Sequence, residues 1–408
     1  MSWKSYRYPS ILILILLVFV SCKTSRIQKS KQQTDPFLKE LLLKNPGNFE
    51  KVLSDPGKYR LQVVYSRIDR NRYGKAYFTD YHFNVDPDLY FYPASTIKMP
   101  IALLAMEKLR KETPADLQST MITMASEPWQ TAVLNDPLTI DGRPNIAQYV
   151  KKIFLISDND ASNRLYEFVG PSKINSRLRE MGYDSTEIIH RLSIPMSQDQ
   201  NRITNEVLFF EDSIAVYTKV AEISALPKLP RSEKLGKGYI SGGKTVMEPF
   251  DFSIRNRFLL PDLHNILRSV IFPDAVPASQ RFGIDSADRD FVMKYMSEYP
   301  SKVGFPPYDS TQYWDAYCKF LLVGSERKPI PDNLRIYNKV GDAYGFLTDV
   351  AYITDTKNGV EFMLSATIYC NEDEIFNDNK YEYDELGFPF LKHLGEVIYK
   401  YELERKKR

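Results

Sequence analysis

Strand-like and helix-like stretches follow one another in this chain in an order that few folds accommodate. Near the amino end, "YRLQVVYSRIDR" (59–70) and "KAYFTDYHFNV" (75–85) are rich in β-branched and aromatic residues and are separated by "NRYG", the pattern of a hairpin. From about residue 95 to 223 the spacing turns helical, with apolar residues at 97, 101, 104, 105 and 109 and again through "NIAQYVKKIFLISDNDASNRLYEFVG". Strands return as "NLRIYNKVG", "FLTDVAYIT" and "VEFMLSATIYC", the last two joined by the turn "DTKNG", and an amphipathic helix runs from about 387 to 404. Such an order implies an α/β (α+β) sandwich: an antiparallel five-stranded sheet assembled from both chain ends, flanked by helices, with an all-helical lobe inserted between them. Shorter helices are expected at "PFLKELLLKN", "SADRDFVMKYMSEY" and "DSTQYWDAYCKFLLVG" (309–324). The glycine- and proline-punctuated stretch at about 225–260 reads as a long insertion loop.

The first 36 residues belong to another category. Lys4 and Arg7 precede the apolar run "ILILILLVFV" (11–20), which would rise only about 15 Å as a helix, half of a bilayer core. Residues 1–21 therefore read as an export signal rather than a membrane span. "FVSC" resembles a bacterial lipobox, which implies a lipid-modified Cys22 anchoring an exported protein to a membrane, facing the periplasm or the cell surface. Residues 22–36 are polar and basic and read as a flexible tether, leaving 37–408 as the folded domain, expected to be a monomer.

Fifty-four basic against 52 acidic side chains, scattered rather than striped, provide no electrostatic footprint for nucleic acid. Histidines at 82, 190, 264 and 393 show no metal-ligand spacing, and no cofactor is expected. Cys318 and Cys370 read equally as a disulfide or as two buried thiols.

Three short motifs carry chemistry. Ser95 and Lys98 stand at i and i+3 where an extended aromatic stretch gives way to a helix, so the lysine is expected to reach the serine oxygen. A serine hydroxyl needs a base to become a nucleophile, and a lysine serves as one when burial and a second cation depress its pKa. Ser157, Asp158 and Asn159 lie between two helices, where an ordinary helix cap would look the same. Lys339, Val340 and Gly341 lie on a strand. Copies at Ser325/Lys328 and at 302–304 lack a helix and flanking strands respectively. "GYISGGKT" (238–245) matches a nucleotide P-loop in spacing, but Pro249 blocks the helix that loop must open.

Together the three motifs resemble those of the serine beta-lactamase and penicillin-binding protein superfamily, most of all its class A beta-lactamases, over residues 59–402, with Asn163 four residues after Asn159 adding to the likeness. The resemblance implies a beta-lactamase/transpeptidase-like fold. It also implies that Ser95 is the acylated nucleophile, Lys98 its base, Ser157 the proton donor to the leaving nitrogen, and Lys339 the cation that polarises this relay. Asn159 and Gly341 would contact the substrate, and the N–H groups of Ser95 and Asp342 would form the oxyanion hole. The implied function is acylation by a beta-lactam and its hydrolysis. A D-Ala-D-Ala peptidase or other cell-wall amidase, and a catalytically weak peptidoglycan-binding lipoprotein, are the alternatives. Two departures stand out: Val340 replaces a hydroxyl residue, and the Glu-x-x-Leu-Asn loop that directs water in class A enzymes is missing, since neither Glu187 nor Glu206 has the expected followers.

Overall fold

The computed structural model describes residues 32–45, 47, 50–225 and 231–405, together with Met1. The export signal, Cys22 and most of the tether lie outside the described residues. Residues 32–35 are pinned: Gln33 bridges to Val85, Thr34 Oγ1 accepts from the Asn84 N–H, and Asp35 takes the His82 N–H.

Helices α1 (Pro36–Leu43) and α2 (Glu50–Ser54) precede strands β1 (Gln62–Arg70) and β2 (Ala76–Phe83). The middle of the chain holds α3 (Lys98–Glu112), β3 (Thr120–Thr123), α4 (Ile146–Ile156), α5 (Asn159–Val169), α6 (Pro171–Glu180) and α7 (Gln198–Arg202). A hairpin of β4 (Val207–Glu211) and β5 (Ile214–Lys219) follows, then β6 (Lys234–Leu235), β7 (Gly238–Ser241), β8 (Lys244–Val246) and β9 (Phe250–Asp251). Helices α8 (Leu260–Ile271) and α9 (Ser286–Ser297) lead to β10 (Leu334–Ala343), β11 (Phe346–Asp355), β12 (Val360–Tyr369), β13 (Ile375–Phe376) and α10 (Phe388–Glu404).

The main sheet has the order β10-β11-β12-β1-β2 and every pairing is antiparallel. Strand β1 thus slots between β2 and β12, with Tyr65 opposite Leu364, and closes the sheet from both ends of the chain. Side chains alternate across it as a period of two requires. Val63, Tyr65, Ile336, Ala351 and Leu364 pack with Leu391, Leu394 and Ile398 of α10. Val64, Ile68, Val350 and Met363 face Leu263, Ile266 and Leu267 of α8 and the core of the helical lobe. Burying each such aliphatic side chain stabilises the fold by about 1.5–3 kcal/mol.

Three expectations need correcting. The inserted lobe is not all-helical, because "VLFFE" and "IAVYTK" form a hairpin about Asp212 (φ 53) whose first strand pairs with β3. The insertion is not a loop: Gly242 and Gly243, both at positive φ, close the β7–β8 hairpin, and β7 runs parallel to β13. This hairpin opens no helix, so the P-loop spacing is coincidental. Finally, residues 309–324 are successive turns. The Asp349 carboxylate takes the N–H groups of Phe320 and Leu321 (3.1 and 2.9 Å), and Lys319 Nζ bonds to Met296 O and Asn338 Oδ1 (2.8 and 2.7 Å), so buried polar partners outbid helix periodicity. Cys318 and Cys370 are both free and buried.

Candidate active site

Ser95 sits in a single 3-10 turn (Ala94–Ile97) that feeds directly into α3. The buried aromatic run Tyr90, Phe91 and Tyr92 anchors the turn from the preceding side. Ala94 is held at φ 44, a left-handed conformation that costs a residue with a Cβ about 1–2 kcal/mol. Strand β10 runs against this turn so closely that a Cβ on Gly341 would lie 2.6 Å from Pro93 O and 3.0 Å from Ser95 N. Gly341 therefore has a steric role: without it the strand could not approach the nucleophile.

Lys98, fully buried at the first position of α3, turns its amine to the hydroxyl (3.3 Å) and the carbonyl of Ser157. The expected direct bond to Ser95 is not formed in this structure; the lysine points across the cleft. From the opposite side, Lys339 Nζ donates to Ser157 Oγ at 2.8 Å and to Val340 O at 2.9 Å. The Ser157 hydroxyl is thus shared by two lysines. Burial, reinforced by the Lys339 charge, pushes Lys98 well below its ordinary pKa, while burial also lowers Lys339. Burial and the neighbouring Lys339 charge thus both disfavour the ammonium form of Lys98.

The Ser-Asp-Asn triplet is both a helix junction and part of the site. Ser157 ends α4 in the left-handed region (φ 55), and Asp158 caps α5 by accepting the Ala161 N–H at 2.7 Å. The sharp reversal is what projects the Ser157 hydroxyl between the lysines. Asn159 Nδ2 donates to Ser193 Oγ (2.8 Å), and Asn163 exchanges two 2.9 Å bonds with Leu192, so α5 carries the segment 190–196 alongside Ser95. That segment is clamped from beneath by Arg191, whose Nε donates to Glu167 at 2.8 Å.

Neither glutamate weighed as a water-directing base lies in the cleft. Glu187 pairs with Arg231 (2.7 Å) and forms a backbone bridge with Arg257, while Glu206 contributes its carbonyl to Met124. The second Ser-x-x-Lys also fails: Lys328 is exposed and ion-paired with Glu326, although Ser325 lines the cleft wall. A further serine–histidine arrangement, Ser66–His264–Ser365, is buried behind the more exposed Asp80–Arg268 ion pair, with both serine hydroxyls 2.7 Å from the ring. Burial drives His264 down to about 3, and this cluster pins β1 and β12 to α8.

Ser95, Asn159 and Asp342 line two adjoining cavities, of about 650 and about 480 Å³. The larger carries Ser157, Val340 and the turn-rich residues Trp314, Tyr317 and Phe320; the smaller carries Tyr92, His190, Ser193, Arg255 and Tyr344. Apart from Ser157 and Val340, none of these residues stood out as a site residue in the sequence, because they belong to none of the three motifs.

Residues 61–226 match the family model described as Beta-lactamase enzyme family. No curated protein matches the chain. Among solved structures, PBP-A is 17% identical with a TM-score of 0.50, over 92% of this chain and 100% of that one. A class A beta-lactamase from Mycobacterium abscessus is 14% identical (TM-score 0.46; 87% and 98% covered), and the beta-lactamase from Streptomyces albus G is 12% identical (0.46; 88% and 99%). The likeness to PBP-A carries the fold assignment. With the sheet order, the likeness to PBP-A shows that the chain has the PBP-A fold, and residues 61–226 match the model of the Beta-lactamase enzyme family.

Proposed function

We propose that this protein is a serine hydrolase of the class A beta-lactamase type, acylated at Ser95 by a beta-lactam or a related amide. The observation that carries the reading is the Lys98–Ser157–Lys339 hydrogen-bond bridge beside Ser95. Neutral Lys98 takes the Ser95 proton as Oγ attacks the carbonyl. The N–H groups of Ser95 and Asp342 hold the resulting oxyanion, each at about 3 kcal/mol of barrier. Ser157 gives its proton to the leaving nitrogen and regains one from Lys98, which ends neutral, so protons balance across acylation. Lys339 keeps the relay polarised and attracts a substrate carboxylate, with less help than usual because Val340 offers no hydroxyl.

Deacylation needs a base for water, and segment 190–196 brings no carboxylate to Ser95. The ester then persists and turnover is slow. That observation favours, as a second reading, a D-Ala-D-Ala peptidase or cell-wall amidase working with the same residues. Intact-mass spectrometry of the penicillin-treated protein over time, beside Ser95→Ala, separates the outcomes. A stable adduct absent from Ser95→Ala supports acylation with slow release, and a fast-decaying one supports efficient hydrolysis. No adduct after long exposure to several beta-lactams and activated esters would leave a peptidoglycan-binding protein. We also propose that the enzyme works from a lipid anchor at Cys22, supported by the "FVSC" pattern; labelled palmitate should enter the wild type and not Cys22→Ser.

A further inference from the structure

Strand β10 orients whatever lies in the cleft. Its Lys339 and Val340 stand by Ser157, on the leaving-group side, and the chain then passes Asp342 to reach Ala343 and Tyr344 in the smaller cavity. The smaller cavity is therefore where the acyl side of a substrate extends.

Its wall contains a cation without a counter-charge. In the segment 231–257, Arg231 is paired with Glu187 (2.7 Å) and Arg257 with Glu233 (2.5 Å). Arg255, between them, forms no ion pair and no side-chain hydrogen bond among the described residues, and its Nε is buried without an acceptor. Asp342, the acidic residue on this wall, is not within ion-pair distance of it. The position of Arg255 is nonetheless fixed. Its N–H bonds to Phe252 O (3.0 Å), its carbonyl is clamped by the Arg231 guanidinium, and its own guanidinium lies over the Phe250 ring at 5.6 Å. A buried donor left unpaired has lost its water without gaining an acceptor, and a ligand acceptor would restore that bond.

A second unpaired atom belongs to another residue of the same wall. His190 Nδ1 is 2.6 Å from Arg191 O, so it carries the proton, and the buried Nε2 is an acceptor with no donor. A carboxylate for Arg255 and an N–H for His190 together describe the side of an amide-linked acidic substituent.

We propose that the smaller cavity is a subsite for acyl donors that bear a carboxylate, held by Arg255, with His190 accepting an N–H from the same substituent. This assignment rests on acylation at Ser95. It names the substrate class as a peptide or beta-lactam whose acyl portion is anionic, such as one with an acidic amino-acid residue beside the scissile carbonyl.

The test compares second-order acylation of the full protein by benzylpenicillin and by its α-carboxylated analogue, in wild type, Arg255→Gln and Arg255→Lys. A charge-assisted hydrogen bond of about 1.5–3 kcal/mol corresponds to roughly 10- to 100-fold. Arg255→Gln should lower the ratio of the α-carboxylated to the unsubstituted donor by at least about tenfold, Arg255→Lys should restore part of it, and added salt should shrink the wild-type preference. Because benzylpenicillin reports on the same folded molecules, a general folding defect leaves the ratio untouched. Acylation by both donors with a ratio indifferent to residue 255 overturns the subsite and leaves the serine chemistry standing. No adduct from either donor overturns both.

Discussion

Ser95, Lys98, Ser157 and Lys339 stand at the ends of helices and on one strand, whereas His190, Arg255 and Trp314 stand on the segments that connect such elements. The floor of the cleft is held by hydrogen bonds between its own members. The walls are held by ion pairs, Arg191 to Glu167 and Arg231 to Glu187 across segments and Arg257 to Glu233 within one. The difference teaches that bond-making groups and substrate-choosing groups answer to separate constraints here. The floor has one workable geometry, while the walls need only be anchored somewhere and can present whatever faces the substrate.

The comparison predicts that floor variants lose reaction rate and that wall variants lose selectivity or stability. The largest effect is expected for Lys98→Ala, which removes the base and should slow acylation about 10³-fold with little change in melting temperature. An equal rate would break the assignment. Its pH counterpart follows from the depressed Lys98 pKa: acylation rises as the amine loses its proton and should level off well below 10.5. Lys339→Gln removes the cation that helps hold the Lys98 pKa down, so the inflection of its residual activity should move to higher pH.

Next comes Gly341→Ala. The added methyl meets Pro93 O and must push β10 from the nucleophile, so acylation should fall about 10²-fold for a stability loss of about 1–3 kcal/mol. Parallel denaturant titration and acylation kinetics check both numbers. In the wall, Arg231→Met removes one partner of the Glu187 carboxylate and unclamps Arg255, and should destabilise the protein by about 1–3 kcal/mol while slowing acylation by benzylpenicillin less than about tenfold.

The smallest effect concerns acid stability. Burial holds His190 near 4 and His264 near 3, below the value of about 6.5 expected when unfolded. The unfolded chain therefore binds more protons below pH 6.5, so stability is full above that pH and is lost as the pH falls toward 4 and 3. Each histidine removes at most about 1.4 kcal/mol per pH unit across its window. Urea titrations at pH 7 and 5 should show the loss, and His264→Gln should reduce it.

Much of this molecule was legible beforehand. The five strands showed through because alternating β-branched and aromatic residues leave a period of two, and the last helix because its apolar stripe is long. The stretch 309–324 misled for the converse reason: its apolar spacing suits a helix, yet Asp349 and Asn338, distant in sequence, capture its polar groups. The β7–β8 hairpin was hidden behind glycines that read equally as a loop.

By itself, the sequence determined the order of elements and the three motifs, since periodicity and short spacings are local properties that survive in a linear string. Only the tertiary structure decided that Lys98 turns to Ser157 rather than to Ser95, that Gly341 abuts the Pro93 carbonyl, and that Arg255 lines the smaller cavity without an ion pair. Those facts depend on desolvation and on distances between groups far apart along the chain, which exist only once the backbone has closed around them.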